Sequence, residues 1–418
     1  MLLEFRVRNY RSFKEETVFS MVASKDDSLP RNVTDTGVSA VRRVNRSAVL
    51  YGANASGKTN LIRAMQLMRG VVVDSAALQP SQEFNVQHYL LDLISPTEPT
   101  MFEVTILIDG IRYQYGFEFT KSRIIEEWLL VYQTAKPQVW FERKLDRASG
   151  EDVYKFGSNF SGPKAVWQNA TRPNALFLSM AVQLNSKSLS ELHSWFAEFF
   201  IVLLNGGEIG HDHSTQLLAN NVGERRIVGL LNAADIGIKS IKTNTQMVQG
   251  FTMEFPSGAS KSEEIEITLP KFIHSAGDVS AEFDLGDESQ GTQKLYALAA
   301  PLFDILESGK VLVIDELDRS LHPLLVRQII LAFSDPAQNC NGAQLLFTTH
   351  DTTQLDHTLL RRDQIFFVEK GIDDASVVVP LLEFSPRKGE ALEKGYLSGR
   401  YGGVPILADH LVEMSDCA

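Results

Sequence analysis

The sequence predicts an α/β fold: a mixed, mostly parallel sheet with helices, antiparallel β-hairpins, and an insertion of mixed helix and strand. Three observations carry this expectation. Short unbroken apolar runs, Ala48–Tyr51, Val311–Ile314, Leu345–Phe347 and Ile365–Val368, have the length and composition of strands buried on both faces. Apolar stripes at helical spacing lie between them: Leu61, Met65 and Met68 in one stretch, and Leu295, Leu298, Leu302 and Ile305 in another. Phe102, Val104, Ile106 and Ile108 alternate up to Asp109-Gly110, and Tyr113, Tyr115, Phe117 and Phe119 alternate after it, the pattern of a hairpin with a tight turn.

Taken in order, the chain begins with a strand in which Leu3, Phe5 and Val7 alternate with charged neighbours, followed by a turn over Asn9–Phe13. The strand Ala48–Tyr51 runs straight into Gly52, and the helical stripe starts after Gly57. Residues 166–279 are the least regular. Leu192, Trp195, Phe196 and Phe199 suggest a helix, Gly206-Gly207 and Gly210 interrupt it, and Ile265, Ile267 and Leu269 suggest a strand. There are no sustained heptads and no internal repeat, which argues against a long coiled coil. The expected organisation is an N-terminal lobe over 1–165, an insertion over 166–279 and a C-terminal lobe over 280–418.

Composition bounds the function. The chain has 418 residues, 44% hydrophobic and 22% charged, enough apolar material for a large core. A formal charge of −12 argues against a general nucleic-acid coat, because phosphate contacts supply most non-specific affinity. Two cysteines, Cys340 and Cys417, form neither a disulfide framework nor a zinc spacing. Charges interrupt the first residues, unlike a signal peptide, and no run approaches the ~20 apolar residues of a membrane span. The expectation is a soluble, cytoplasmic protein.

Gly52-Ala53-Asn54-Ala55-Ser56-Gly57-Lys58-Thr59 matches G-x-x-x-x-G-K-[ST]. Small residues let backbone N–H groups curl around phosphate oxygens. Lys58 is placed for the β- and γ-phosphates and the Thr59 hydroxyl for magnesium. The helix that follows offers its positive end to the anion. Four apolar residues then lead into Asp315-Glu316, an acid pair at the end of a buried strand. Asp315 is the expected magnesium partner, and Glu316 is placed to orient the attacking water. The expected ligands are therefore ATP and Mg2+, with Thr59 and Asp315 as metal-side residues and Glu316 as catalytic.

Asp315 lies far along the chain from Lys58, an arrangement that resembles the head domains of SMC, RecF and related ABC-type ATPases. Glu288-Ser289-Gln290-Gly291-Thr292 resembles a degenerate ABC signature, with Ser289 and Gly291 at the key places; a plain helix N-cap is the competing reading. His350 resembles the switch histidine that senses the γ-phosphate. Leu317-Asp318 and Leu321-His322-Pro323 resemble the D-loop region of RecF-like and OLD-like ATPases, with Asp318 facing a dimer partner. Asn60 and the turn carrying Arg11 also look like such heads, where an arginine in this turn approaches the nucleotide. A solvent-facing turn arginine is the alternative. The glutamine of the Q-loop stays open between Gln87, Gln114 and Gln133.

A closer resemblance is to compact standalone members of this superfamily: RloA, the AbiL-type abortive-infection ATPases and the AriA subunit of the PARIS system. It rests on Ala23-Ser24-Lys25, Tyr51–Lys58, Leu360–Ile365 and Tyr396–Pro405. That resemblance implies an ATPase of bacterial anti-phage defence, working as at least a dimer with ATP between heads. It also implies a separate effector such as a TOPRIM-type nuclease and a phage-encoded trigger, with no membrane partner and DNA left open. A RecF-like DNA-repair ATPase and an ATP-held scaffold with little turnover are the alternatives. Glu369 reads as a strand-end residue rather than the opening of a TOPRIM site, since one carboxylate cannot build a two-metal centre. Gly210-His211-Asp212-His213 reads as a solvated loop or, alternatively, part of a zinc site.

Overall fold

The computed structural model describes residues 1–204, 210–218, 221–254, 259–387 and 389–405. The Gly206-Gly207 break and Cys417 lie outside them. The chain divides into two units: Met1–Gly207 with Leu306–Leu317 and Arg327–Ala418, and Glu208–Ile305 with Asp318–Val326.

Among the described residues, the first unit carries two large sheets and a two-stranded one. One is antiparallel and seven-stranded, in the order β10-β9-β8-β7-β6-β1-β2. It is built from β1 (Leu2–Arg8), β2 (Thr17–Ser20), β6 (Thr100–Ile108), β7 (Ile111–Phe119), β8 (Ile124–Tyr132), β9 (Gln138–Leu145) and β10 (Asp152–Phe156). The β6–β7 hairpin closes with Ile108 opposite Ile111. Asp109 and Gly110 both have positive φ, 47° and 78°, as a two-residue primed turn requires. Phe102, Phe117 and Phe119 pack ring on ring beneath it, with centroids 5.3 to 6.0 Å apart.

The other sheet holds the candidate site. Its order is β11-β15-β16-β5-β17-β18, from β5 (Ser47–Tyr51), β11 (Phe200–Leu203), β15 (Val311–Ile314), β16 (Gln344–Thr348), β17 (Ile365–Lys370) and β18 (Ser376–Pro380). The first five run parallel and β18 closes the edge antiparallel. Every residue of β5, β15 and β16 is buried, which is why these strands read as unbroken apolar runs. Helix α1 (Lys58–Asp74) turns Leu61, Met65 and Met68 into a core shared with both sheets, and Phe19 of β2 meets Phe366 of β17 at 4.9 Å.

This unit also contains the hairpin β3 (Val33–Val38) and β4 (Val41–Asn45), the helices α2 (Lys164–Ala170), α3 (Phe177–Gln183) and α4 (Lys187–Ser194), and α9 (Leu392–Leu397). The stripe at Leu192–Phe199 is only half helical: α4 runs into one wide π-type turn over Trp195–Phe199, and Phe200 opens β11. The wider turn frees the aromatic Trp195 to stack on Phe200, 4.9 Å away.

Two segments marked by resemblance form one lock. Arg361, fully buried, donates to Asp26 O and Ser28 O and pairs with Asp363, while Asp363 accepts from Ser24 N–H at 2.6 Å. The Leu360–Ile365 segment therefore holds the loop that follows Ala23.

The second unit contains α5 (Asp212–Leu217), α6 (Asn221–Ala233), a long antiparallel ribbon β12 (Ile238–Glu254), β13 (Ala259–Ala276) and β14 (Val279–Asp284), and α7 (Gln290–Ser308) as far as Ile305. The strand expected at Ile265–Leu269 is the middle of β13. Phe272 meets Tyr296 edge to face at 5.1 Å, and the Tyr296 hydroxyl pairs with Thr215. Helix α8 (Pro323–Ser334) begins at Pro323, a residue suited to a first turn because it has no N–H to lose.

Candidate functional site

Three adjacent parallel strands, β15, β16 and β5, end along one edge of the sheet. Ile314 is level with Phe347, and Thr348 with Leu50. Asp315 and Gly52 follow their strand ends directly and His350 comes after one intervening residue, Thr349, on the edge where open α/β sheets bind ligands.

The loop from Gly52 to Thr59 is tightly built. A Cβ on Gly52 would sit 2.3 Å from Val368 O, so only glycine fits against β17. Gly57 has φ 118° and its Cβ would meet Ser376 Oγ at 2.2 Å. Lys58, 6% exposed, folds back and donates from Nζ to Gly52 O at 2.7 Å and Ala53 O at 3.0 Å. The Ser56 hydroxyl is buried without a hydrogen-bond partner among the described residues. A buried unpaired hydroxyl in a loop with a curled-in ammonium suits an anion. Asn54 is exposed and Thr59 half-buried at the helix start, and Asn60 donates from Nδ2 to Ser12 Oγ at 2.9 Å.

On the acid side, Asp315 is 2% exposed and its Oδ1 accepts from Thr348 Oγ1 at 2.7 Å. The same Thr348 oxygen accepts the Glu316 N–H, also at 2.7 Å. Glu316 is held in the left-handed region, φ 53°, which orders the residue after the strand on a course an ordinary strand end would not take. One hydroxyl on β16 thus fixes both acids. His350 is exposed just beyond β16, and the next residue is anchored by Tyr51 OH to Asp351 O at 2.9 Å.

Residues 47–356 match the family described as "AAA domain, putative AbiEii toxin, Type IV TA system". The chain belongs to this AAA family. Among solved structures, the SMC head domain from Thermotoga maritima is 15% identical, with a TM-score of 0.37, covering 91% of this chain and 98% of its own. An SMC head bound to the C-winged helix domain of ScpA is 12% identical, with a TM-score of 0.39, covering 90% and 96%. No curated protein matches the chain.

Within this AAA family member, the other sequence-marked residues fall as follows. Arg11 has φ 50°; its N–H donates to Gln87 O at 2.8 Å and its Nε to Tyr10 OH at 3.1 Å. Burial raises the Tyr10 hydroxyl pKa, against the pull of Arg11. Gln87 therefore stands beside the turn that touches Asn60 through Ser12. Gln114 is spent in the antiparallel sheet, donating to Glu103 and accepting from Tyr132 OH. Gln133 follows β8 in a bend.

Ser289, Gly291 and Asp318 belong to the second unit. Ser289 Oγ accepts the Thr292 N–H at 3.1 Å, the geometry of an N-cap on α7. Gly291 lies so close to Ser320 that a Cβ would be 2.9 Å from its carbonyl oxygen. Asp318 O accepts the Leu321 N–H at 3.0 Å. Asp212 is the first residue of α5, after His211 and before His213. Among the described residues, no three His, Cys, Asp or Glu side chains converge as metal ligands. No described helix is long and apolar enough to cross a membrane. Cys340 is a free, exposed thiol.

Sequence reasoning missed Thr348, Ser12 and Ser376, since each acts through strand order or long-range contact. It marked Tyr396–Pro405 by resemblance alone, and the packing supplies a physical role. Tyr396 stacks on Phe367 at 5.3 Å and lies 5.6 Å from Tyr51, Tyr401 stacks on Phe367 at 5.7 Å, and Tyr396 OH donates to Gly403 O. A Cβ on Gly403 would reach within 3.5 Å of the Gly52 Cα. The segment buttresses the root of the loop. Glu369, at the end of β17, packs against Gly402 in the same layer.

Proposed function

We propose that the chain binds ATP with magnesium at the Gly52–Thr59 loop and hydrolyses it as an ABC-type ATPase. The observation that carries this reading is Thr348, whose one hydroxyl holds both Asp315 and Glu316 at the sheet edge where β5 delivers the loop. Lys58 and the loop N–H groups would take the phosphates, and Thr59 and Asp315 would hold the metal. Magnesium, when bound, neutralises charge on the phosphate oxygens. Glu316 would orient the attacking water, and His350, exposed at the neighbouring strand end, would contact the γ-phosphate.

The second half of each site would come from another copy of the chain, through Ser289, Gly291 and Asp318. A helix N-terminus with a hydroxyl and a bare backbone suits an anion. A second reading, an ATP-held scaffold with slow turnover, is supported by Ser289, whose hydroxyl already caps its own helix.

The biological setting rests on the resemblance and on the AAA family, described as a putative AbiEii toxin. It is a regulatory ATPase of anti-phage defence in the cytoplasm, answering a phage trigger and controlling a separate effector. The exposed run Leu90, Leu91, Leu93 and Ile94 supports a protein partner, because a cluster of four large apolar side chains in water marks a contact surface. The test is direct. Lys58→Ala should abolish ATP binding, whereas Glu316→Gln should bind ATP normally and lose about 10²-fold or more in turnover. Normal hydrolysis by Glu316→Gln would remove the assigned mechanism.

A further inference from the structure

Ser376 opens the edge strand β18 and belongs to no motif. It is 2% exposed. Its N–H donates to Ser12 O at 2.6 Å and its hydroxyl to Ser56 O at 2.5 Å. A trans peptide points its C=O and the next N–H in opposite directions. With Ser56 O turned toward Ser376, the Gly57 N–H is turned away from β18. The Lys58 ammonium closes on the Gly52 and Ala53 carbonyls of the same loop.

The contact is too close for any other residue at position 57. A Cβ there would lie 2.2 Å from Ser376 Oγ and 2.9 Å from Ser12 Oγ. Ser12 in turn accepts from Asn60 on α1. Three segments distant in sequence, the N-terminal turn, the loop and β18, thus meet at one peptide. An anion bound by backbone N–H groups is sensitive to such a peptide, since a flip replaces a donor with a carbonyl oxygen.

We propose that Ser376 is a positioning residue for the phosphate-binding loop, holding the Ser56–Gly57 peptide with its N–H toward a bound triphosphate. The inference rests on the ATP-binding reading above. Ser376 touches no reacting group, so its loss should act on affinity and leave the chemical step alone.

The experiment measures Mg-ATP affinity by calorimetry, steady-state turnover, and the melting temperature without nucleotide, for the full chain and for Ser376→Ala, Ser376→Thr and Lys58→Ala. Ser376→Ala should bind ATP about five- to tenfold more weakly, the worth of roughly one hydrogen bond. Its KM should rise with kcat kept, and Ser376→Thr, which retains the hydroxyl, should bind like the natural protein. Natural affinity in Ser376→Ala overturns the inference. So does a fall in kcat at constant KM, or equal weakening in the Ala and Thr variants. If the unaltered chain binds no ATP, the ATP reading itself fails, and Lys58→Ala then shows no difference from it.

Discussion

Thr348→Val is the sharpest perturbation of the candidate site, because it keeps the shape of a fully buried side chain and deletes one hydroxyl. Two contacts disappear, the bond to Asp315 Oδ1 and the bond from the Glu316 N–H, each 2.7 Å. The first is a bond to a carboxylate, worth about 1.5–3 kcal/mol, and stranding the second donor costs about 1–3 kcal/mol. A loss of about 3–5 kcal/mol is a large share of the roughly 5–15 kcal/mol that holds a typical domain. Function should suffer separately. Glu316 occupies a left-handed conformation, φ 53°, that an L-residue keeps at a cost of about 1 kcal/mol. Without its anchor the backbone relaxes and the carboxylate leaves its place, so turnover should fall by about 10–100-fold at temperatures where the variant is folded. Affinity for ATP without magnesium should change little, since Lys58 and its loop are untouched, whereas Mg-ATP should bind more weakly because Asp315, the proposed metal partner, loses its hydroxyl donor. Denaturant unfolding and steady-state phosphate release read the two effects. A Thr348→Val variant with the natural unfolding midpoint and natural turnover would refute the reasoning.

Other expectations lie away from the nucleotide. Glu127 is fully buried in β8, accepts from Phe177 N–H, Leu178 N–H and Tyr115 OH, and faces Arg143 at 3.7 Å. Burial raises its pKa and Arg143 opposes that rise. Glu127→Ala leaves a buried guanidinium short of a partner and uncaps α3, and should cost about 3–5 kcal/mol in unfolding experiments while leaving ATP affinity unchanged. Equal stability would show that Asp152 and the Ala175 and Arg172 carbonyls satisfy Arg143 without Glu127. Asp26 gives a pH signature. Burial pulls its pKa up, but bonds from Ser28 and Arg362 prevail and hold it at about 2, against an ordinary 3.8. Its stabilisation is therefore complete above pH 3.8 and is lost as pH falls toward 2. Asp26→Asn should flatten that part of the stability–pH curve, and an unchanged slope would count against the pairing.

What the sequence made legible was local. Gly52–Thr59 announces itself because its chemistry is written in eight consecutive residues, and Asp109-Gly110 because both positions need positive φ. Val311–Ile314 announces Asp315-Glu316 because a buried strand has no polar positions to blur it. The features that stayed hidden depend on which strands become neighbours. Thr348 matters only because β16 lies between β15 and β5, and Ser376 only because β18 returns antiparallel beside β17. The strand Phe200–Leu203 was masked by the aromatic stripe before it, whose spacing fits a helix until the wide turn at Trp195–Phe199. In the second unit, the ribbon β12–β14 is largely exposed along its described side chains, so the apolar alternation that reveals a half-buried strand is weak there.

The claim at the centre is that each ATP site is completed by a second copy, and a mixing experiment tests it. If Lys58 holds the phosphates and Ser289 reaches the partner's nucleotide, as proposed, Lys58→Ala breaks the loop and Ser289→Arg the partner-facing half, so each variant alone should hydrolyse almost no ATP. In a mixture, the proposed heterodimers would pair the intact loop of one subunit with the intact Ser289 of the other. With random pairing, about a quarter of the natural activity should return, because half the dimers then carry one good site of two. A mixture as inactive as its separate components, or a fully active Ser289→Arg variant, would contradict a shared site.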